Sequence, residues 1–327
     1  MKKLGLSLLA IAAVAPAFSI TVDGTLDGSY GSALSVQTVD TQFGDANPPG
    51  NLGGSELNAG YATIVGDRLY LMLTGNLEPN FNKLEVFIDS VSGGENVLSG
   101  TPAYDYFNGS NWITSNFGGM TFDTGFTADY HLFARWGSGT GPFEVDFVNR
   151  NGGTSAMVPG SKGAGNNAVG LISTGTILAG NVGTNASGSA LTQNLDFAMN
   201  NNNAGGVVGG TGAANQANAL SVMTGMEFSI ALADIGNPTA GSQIRIAAMI
   251  GNGDHNYLSN QILGGLPAPQ GNLGGDGNGG FTGTMSGINF NNFGGEQYFT
   301  VNVVPEPGTM IALGAGLLGL VARRRRK

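Results

Sequence analysis

Cysteine is absent from the 327 residues, and histidine occurs only as His131 and His255. Without cysteine there are no disulfides, no thiolate nucleophile and no cysteine-built zinc site. With two histidines, a metal centre made of several imidazoles is excluded. A Ser-His-Asp triad would have to use one of those two rings, and no Gly-x-Ser-x-Gly elbow surrounds any serine. Charge is also scarce: Asp, Glu, Lys and Arg make up 11% of the chain. Of 13 basic residues, two lie at Lys2 and Lys3 and five close the chain, which leaves Arg68, Lys83, Arg135, Arg150, Lys162 and Arg245 between the ends. Against those six stand 21 acidic residues, so the body carries about −15. That balance excludes a basic nucleic-acid footprint. It suits solubility outside the cell and admits divalent cations.

Glycine is plentiful instead, at 57 residues, with many Asn, Ser and Thr. This composition disfavours long polar helices and favours short strands joined by turns. The glycine run Gly274–Gly280 lacks the Lys-Ser/Thr ending and the strand-loop-helix context of a phosphate loop.

The two ends differ from the body. Lys2 and Lys3 precede an apolar stretch, Leu4 to Val14, and small-residue cleavage options at Ala15–Ala17 and Ala17–Ser19. This is the pattern of a secretory signal helix, with residues 1–19 removed from the mature chain. At the other end, Val304-Pro305-Glu306-Pro307 breaks the chain, because proline fixes φ and holds the preceding residue extended. Met310 to Ala322 is wholly apolar, and Arg323, Arg324, Arg325, Arg326 and Lys327 follow. As a helix those residues span roughly 20 Å at about 1.5 Å each, whereas a bilayer core needs roughly 30 Å. The span is therefore marginal unless the arginines snorkel and the bilayer thins, which leaves a plain C-terminal tail anchor as an alternative; the cations would stay on the cytoplasmic side of the inner membrane.

In order and in all three parts, Val304–Pro307, the apolar stretch and the Arg cluster resemble the PEP-CTERM sorting signal of Gram-negative bacteria. The resemblance implies a precursor held transiently in the inner membrane, processing by a membrane exosortase, and delivery to the cell surface or an exopolysaccharide matrix. It covers residues 304–327 and says nothing about the body.

Within residues 20–303 the pattern is of strands. Tyr61 to Leu73 reads as a hairpin turning at Gly66-Asp67. Further strands are expected at Leu84–Ile88, Tyr130–Trp136, Phe143–Val148, Met226–Leu232, Ile244–Ile250 and Tyr298–Val304, with one helical turn at Ala231–Ile235. Gly152 to Ala219 is Gly/Asn-rich, and strand-like pieces at Ala168–Leu178 and Leu195–Met199 predict strands separated by long loops, with a wholly disordered stretch as the alternative. The fold class is all-β: an antiparallel sandwich of jelly-roll type, with an N-terminal signal helix and a short C-terminal hydrophobic helix. Val22–Gly28, Arg68–Leu71, Val86–Asp89 and Glu227–Leu232 resemble, in this order, the family-9 carbohydrate-binding and DOMON-like sandwiches. Tyr30 stands near where that pattern has a Trp, and the Gly/Asn-rich centre has no counterpart in it.

Candidate binding residues follow from aromatic crowding. Tyr104, Tyr106, Trp112 and Trp136 lie in one window rich in Phe, interleaved with Asn108, Asn111 and Asn116. Flat rings stack on sugar faces while amides satisfy hydroxyls; the alternative is an aromatic sandwich core. Asp23, Asp27, Asp254 and Asp276 sit in turns and are candidate oxygen ligands for a structural Ca²⁺, although Asp-Gly is first a turn former. No other cofactor is expected. The expected function is a non-enzymatic surface or matrix protein associated with exopolysaccharide. A carbohydrate-binding module with an aromatic site is the second reading. A glycoside-active enzyme is a distant third, since nothing singles out a carboxylate pair.

Overall fold

A computed structural model describes residues 19–44, 54–100, 113–137, 143–150, 165–166, 177–182, 191–203 and 205–304. Their strands are β1 (Ser35–Val36), β2 (Glu56–Val65), β3 (Arg68–Asn76), β4 (Asn80–Asp89), β5 (Tyr130–Gly137), β6 (Phe143–Asn149), β7 (Gly165–Asn166), β8 (Ile177–Val182), β9 (Leu195–Asn200), β10 (Gly225–Ala231), β11 (Gln243–Gly251), β12 (Leu258–Leu263) and β13 (Phe299–Asn302). They form two antiparallel sheets. One runs β1-β2-β3-β10-β9-β8, the other β12-β11-β4-β5-β6-β7. β13 shares an edge of β11 with β12, taking Gln243–Ile246 and leaving Ala248–Gly251 to β12.

The β2–β3 hairpin turns on Gly66 and Asp67, with Val65 opposite Arg68 and Gly66 at φ 62°. A two-residue turn of this kind needs positive φ, which glycine adopts without a steric penalty. β10 then docks on β3 along its whole length, from Gly225 opposite Thr74 to Ala231 opposite Arg68. A 3₁₀ turn follows at Leu232–Ile235, and a five-residue helix occurs at Gln216–Leu220. The expected Ala168–Leu178 strand falls mostly outside the described residues, and the strand observed there is β8.

Alternation decides which side chains meet between the sheets. Leu69, Leu71 and Leu73 of β3 and Phe228 and Ile230 of β10 face Leu84, Val86 and Ile88 of β4, Leu132 and Ala134 of β5, and Ile244 and Ile246 of β11. The opposite face of the second sheet is buried as well. Phe87, Ala247, Met249, Leu258 and Ile262 pack under Phe117, Phe122, Phe126, Met285, Ile288 and Phe290, which belong to the long connections after β4 and after β12. A sheet covered on both faces must bury whatever its outward residues are. In β4 and β5 those include Lys83, Glu85, His131 and Arg135. The crowded aromatics at Phe117, Phe122, Phe126, Tyr130, Phe133 and Trp136 are all core residues.

The first residues of the body are pinned to the first sheet. The Glu227 carboxylate accepts from the amides of Asp23 and Gly24, each at 2.9 Å, and from the Tyr30 hydroxyl at 2.8 Å. Burial and the adjacent Glu227 carboxylate keep the Tyr30 hydroxyl protonated, and burial raises the carboxyl of Glu227 itself. Thus the opening Asp-Gly piece and the Glu of β10, far apart in sequence, form one clasp.

Candidate functional site

The outward faces of β4 and β5 carry a buried relay of titratable groups. Lys83 Nζ lies 3.1 Å from His255 Nε2, His255 Nδ1 lies 2.6 Å from Glu85 Oε1, and His131 Nε2 lies 2.8 Å from Glu85 Oε2. An ammonium can only donate. His255 Nε2 therefore accepts, its Nδ1 carries the proton, and that proton is donated to Glu85. The second Glu85 oxygen accepts from His131 Nε2–H. These proton positions are assigned from the bonding pattern. Burial alone would push the Glu85 carboxyl up, but the electrostatic pull of His255, with the hydrogen bonds from both histidines, outweighs it and holds it down at about 2. Burial pushes His131 down to about 4 against the pull of Glu85, so its ring is neutral at neutral pH. Phe87 stacks on His131 at 4.1 Å, and Phe117 and Phe133 enclose His255 at 4.9 and 5.2 Å. Further along, Arg135 pairs with Asp146 at 2.7 Å and Glu144 at 2.8 Å. Both histidines and Glu85 are 0% exposed. The arrangement holds paired charges inside a layered fold and offers no reacting atom to a dissolved substrate.

The open chemistry lies in the glycine-rich connection between β12 and β13. A cleft of about 200 Å³ is lined by Gln270, Asp276, Asn278, Asn289, Asn292 and Phe293, together with glycine backbone. Asp276 Oδ1 accepts from the amides of Asn278 at 2.8 Å and Gly280 at 2.9 Å, and these bonds hold its carboxyl below the usual range. The walls are fixed to the second core. Gly274 and Leu258 exchange backbone bonds at 2.9 and 2.8 Å, Gly287 donates to Gly275 at 3.0 Å, and Phe290 donates to Thr121 at 2.9 Å. A Cβ on Gly287 would stand 2.6 Å from Asp276 Cα, so only glycine lets these two strips of chain approach.

The sequence-selected residues fare differently. Trp136 corrects the aromatic-site expectation: it is 0% exposed, its indole N–H donates to Leu77 O, and it cannot stack on a sugar. It faces the sandwich interior because β5 alternates and Trp136 falls in phase with Leu132 and Ala134. Tyr104, Tyr106 and Trp112 lie outside the described residues. Asp23 Oδ1 accepts from Thr25 N at 2.8 Å, closing a turn, and Asp27 Oδ2 accepts from Thr21 N at 3.0 Å, tying down the opening segment. The Asp254 carbonyl accepts from Asn116 at 2.8 Å. Asp254 and Asp276 belong to the loops on the second sheet, so the four carboxylates do not converge. Among the described residues no group of three or more acidic or histidine side chains could hold a metal ion. The relay itself went unpredicted. Its one sequence signal was Lys83 and Glu85 alternating with aliphatic residues, which reads equally as a solvent-facing strand side.

After β13 the chain stays bonded to the body for one residue more. Val303 N donates to Ser242 O at 3.0 Å and Gly241 N to Val303 O at 2.7 Å, while Val304 is exposed. Residues 303–326 match the PEP-CTERM protein-sorting motif. The chain is thus an exosortase-dependent, secreted cell-surface protein, exported through a membrane-anchored precursor. Of the PEP-CTERM residues, Pro305, Glu306, Pro307 and Arg323 to Arg326 lie outside the described residues, as does the apolar stretch Met310–Ala322. Among the described residues no helix is long and apolar enough to cross a membrane. No curated protein and no solved structure matches the chain. The body's likeness to family-9 and DOMON-like sandwiches therefore gains no support from known proteins.

Proposed function

We propose that the body is a non-enzymatic component of the cell surface or extracellular matrix that associates with exopolysaccharide. The observation that carries this reading is the division of its chemistry. The buried relay, with both histidines at 0% exposure, is sealed inside, while the accessible loop surface offers amides, hydroxyls and peptide groups beside scattered carboxylates such as Asp23, Asp254 and Asp276. Amides and hydroxyls of this kind exchange hydrogen bonds with hydroxyl-rich polymers without demanding that buried charge be exposed. PEP-CTERM sorting takes the body to the cell surface, where it would meet such polymers.

The test is co-sedimentation of the purified mature protein with exopolysaccharide from the cells that make it, with reducing ends assayed in parallel. Retention in the polymer pellet without new reducing ends is expected. Failure to sediment refutes the association, and release of reducing ends refutes the non-enzymatic role.

A further inference from the structure

The cleft between the Gly274–Gly280 run and the Asn289–Phe293 turn has unused hydrogen-bonding capacity. The Asn292 side chain, Asn289 Nδ2, Gln270 Oε1 and Asp276 Oδ2 have no hydrogen-bond partner among the described residues, although their neighbouring atoms are bonded. We infer that this cleft is a saccharide subsite that receives one ring of a neutral polysaccharide. The inference rests on the matrix reading above and names the site within it.

Three features point to this ligand class. First, a pyranose presents an apolar face and a rim of hydroxyls that both donate and accept. The half-buried Phe293 ring supplies the apolar surface. The amides of Asn289 and Asn292 offer both hydrogen-bond roles, and the free Asp276 oxygen offers a charged acceptor, which bonds a hydroxyl more strongly than a neutral one does. Second, the volume of about 200 Å³ falls below the roughly 300–1,000 Å³ that encloses a drug-sized molecule. It suits one unit of a polymer that continues into solvent. Third, the site is already in place. Asn and Asp have short side chains, and backbone bonds fix the glycine strips that carry them, so binding would order little. The Asp276 carboxylate and a body of about −15 repel polyuronates and sulfated chains, so the ligand is uncharged.

The test uses the mature protein in affinity electrophoresis through gels containing neutral polysaccharides (dextran, a mixed-linkage β-glucan, a galactomannan, and the cells' own neutral exopolysaccharide) or alginate. The parent should be retarded by at least one neutral polymer and not by alginate. Asn292→Ala and Asp276→Asn should each weaken that binding about tenfold or more with melting unchanged, and Leu220→Ala, remote from the cleft, should not. EDTA should leave binding intact. Parent binding that the cleft variants do not alter overturns the subsite and leaves the matrix reading standing. Parent binding to none of the neutral polymers overturns the subsite, and failure to co-sediment with the cells' whole exopolysaccharide as well overturns the matrix reading. Equal binding to alginate, or loss in EDTA, overturns direct recognition of an uncharged ring.

Discussion

Replacing Glu85 by Gln changes one atom's chemistry at the centre of the buried relay. The glutamine Oε1 can still accept from His255 Nδ1. Its NH₂ then faces His131 Nε2, which can shift its proton to the other ring nitrogen and accept. Shape and hydrogen bonding survive, and the negative charge does not. The Lys83 ammonium and the Glu85 carboxylate face each other across the His255 ring, bonded to it at 3.1 and 2.6 Å. Two unit charges on the order of 7 Å apart at an effective dielectric of about 20 attract by about 2.4 kcal/mol. Two charge-assisted bonds also become neutral ones, at about 1 kcal/mol each. Loss of about 3–5 kcal/mol is therefore expected, in line with breaking one partner of a buried pair. At about 2–4 °C per kcal/mol, the melting temperature should fall by roughly 10 °C. Urea denaturation of Glu85→Gln, Lys83→Met and the double variant supplies the cycle. The double variant should be more stable than the sum of the two single losses implies, by about 2 kcal/mol. A single loss below about 1 kcal/mol, or strict additivity, would refute the relay as drawn.

Three further outcomes follow from the interior. Acid should destabilise the fold in two windows. His131 is held at about 4, below its ordinary 6.5, so the unfolded chain takes up its proton first and stability falls as pH drops from about 6.5 towards 4. Glu85 is held at about 2, so its contribution, present above about 4.5, is lost as pH falls from there towards 2. Each group contributes at most about 1.4 kcal/mol per pH unit, and His131→Asn should flatten the upper window in a melting-versus-pH series. Trp136→Ala should cost about 3–5 kcal/mol as a core truncation, and Trp136→Phe should lower stability while leaving polysaccharide affinity unchanged; a selective loss of affinity in that variant would contradict a buried ring. Tyr30→Phe removes the hydroxyl donor to Glu227 and should cost about 1.5–3 kcal/mol, read by denaturant midpoint, because the acceptor is a buried carboxylate.

Strand existence was legible where alternation and turn chemistry agreed, as in the hairpin around Gly66-Asp67 and the LEVFI and HLFAR segments. β12 was not: Leu258 to Leu263 holds Ser259, Asn260 and Gln261, all buried and polar. Asn260 Nδ2 donates to Asp40 O at 2.7 Å and Gln261 Nε2 to Asp40 O at 3.3 Å, contacts with a segment more than 200 residues away. No local pattern encodes a partner at that separation. The second core escaped for the same reason. A sheet face reads as solvent-exposed until long loops fold over it, and those loops are rich in Gly and Asn with apolar residues at irregular spacing. The aromatic window reads as core or as site, and only the phase of β5 decides for Trp136. In the cleft, Asp276 was singled out for its oxygens, but Asn289, Asn292 and Phe293 join it only through the backbone bonds of Gly287 and Phe290.

The most direct measurement is the location and covalent state of the protein before and after enzymatic digestion of the matrix polysaccharide. Cells are fractionated and the chain is read by intact mass. Digestion should move the protein from the matrix pellet to the soluble fraction, cut near Pro305–Pro307 and lacking its Arg cluster. A protein that keeps its C-terminal segment and stays with the membrane fraction, indifferent to the digestion, would contradict both the sorting route and the association with polysaccharide.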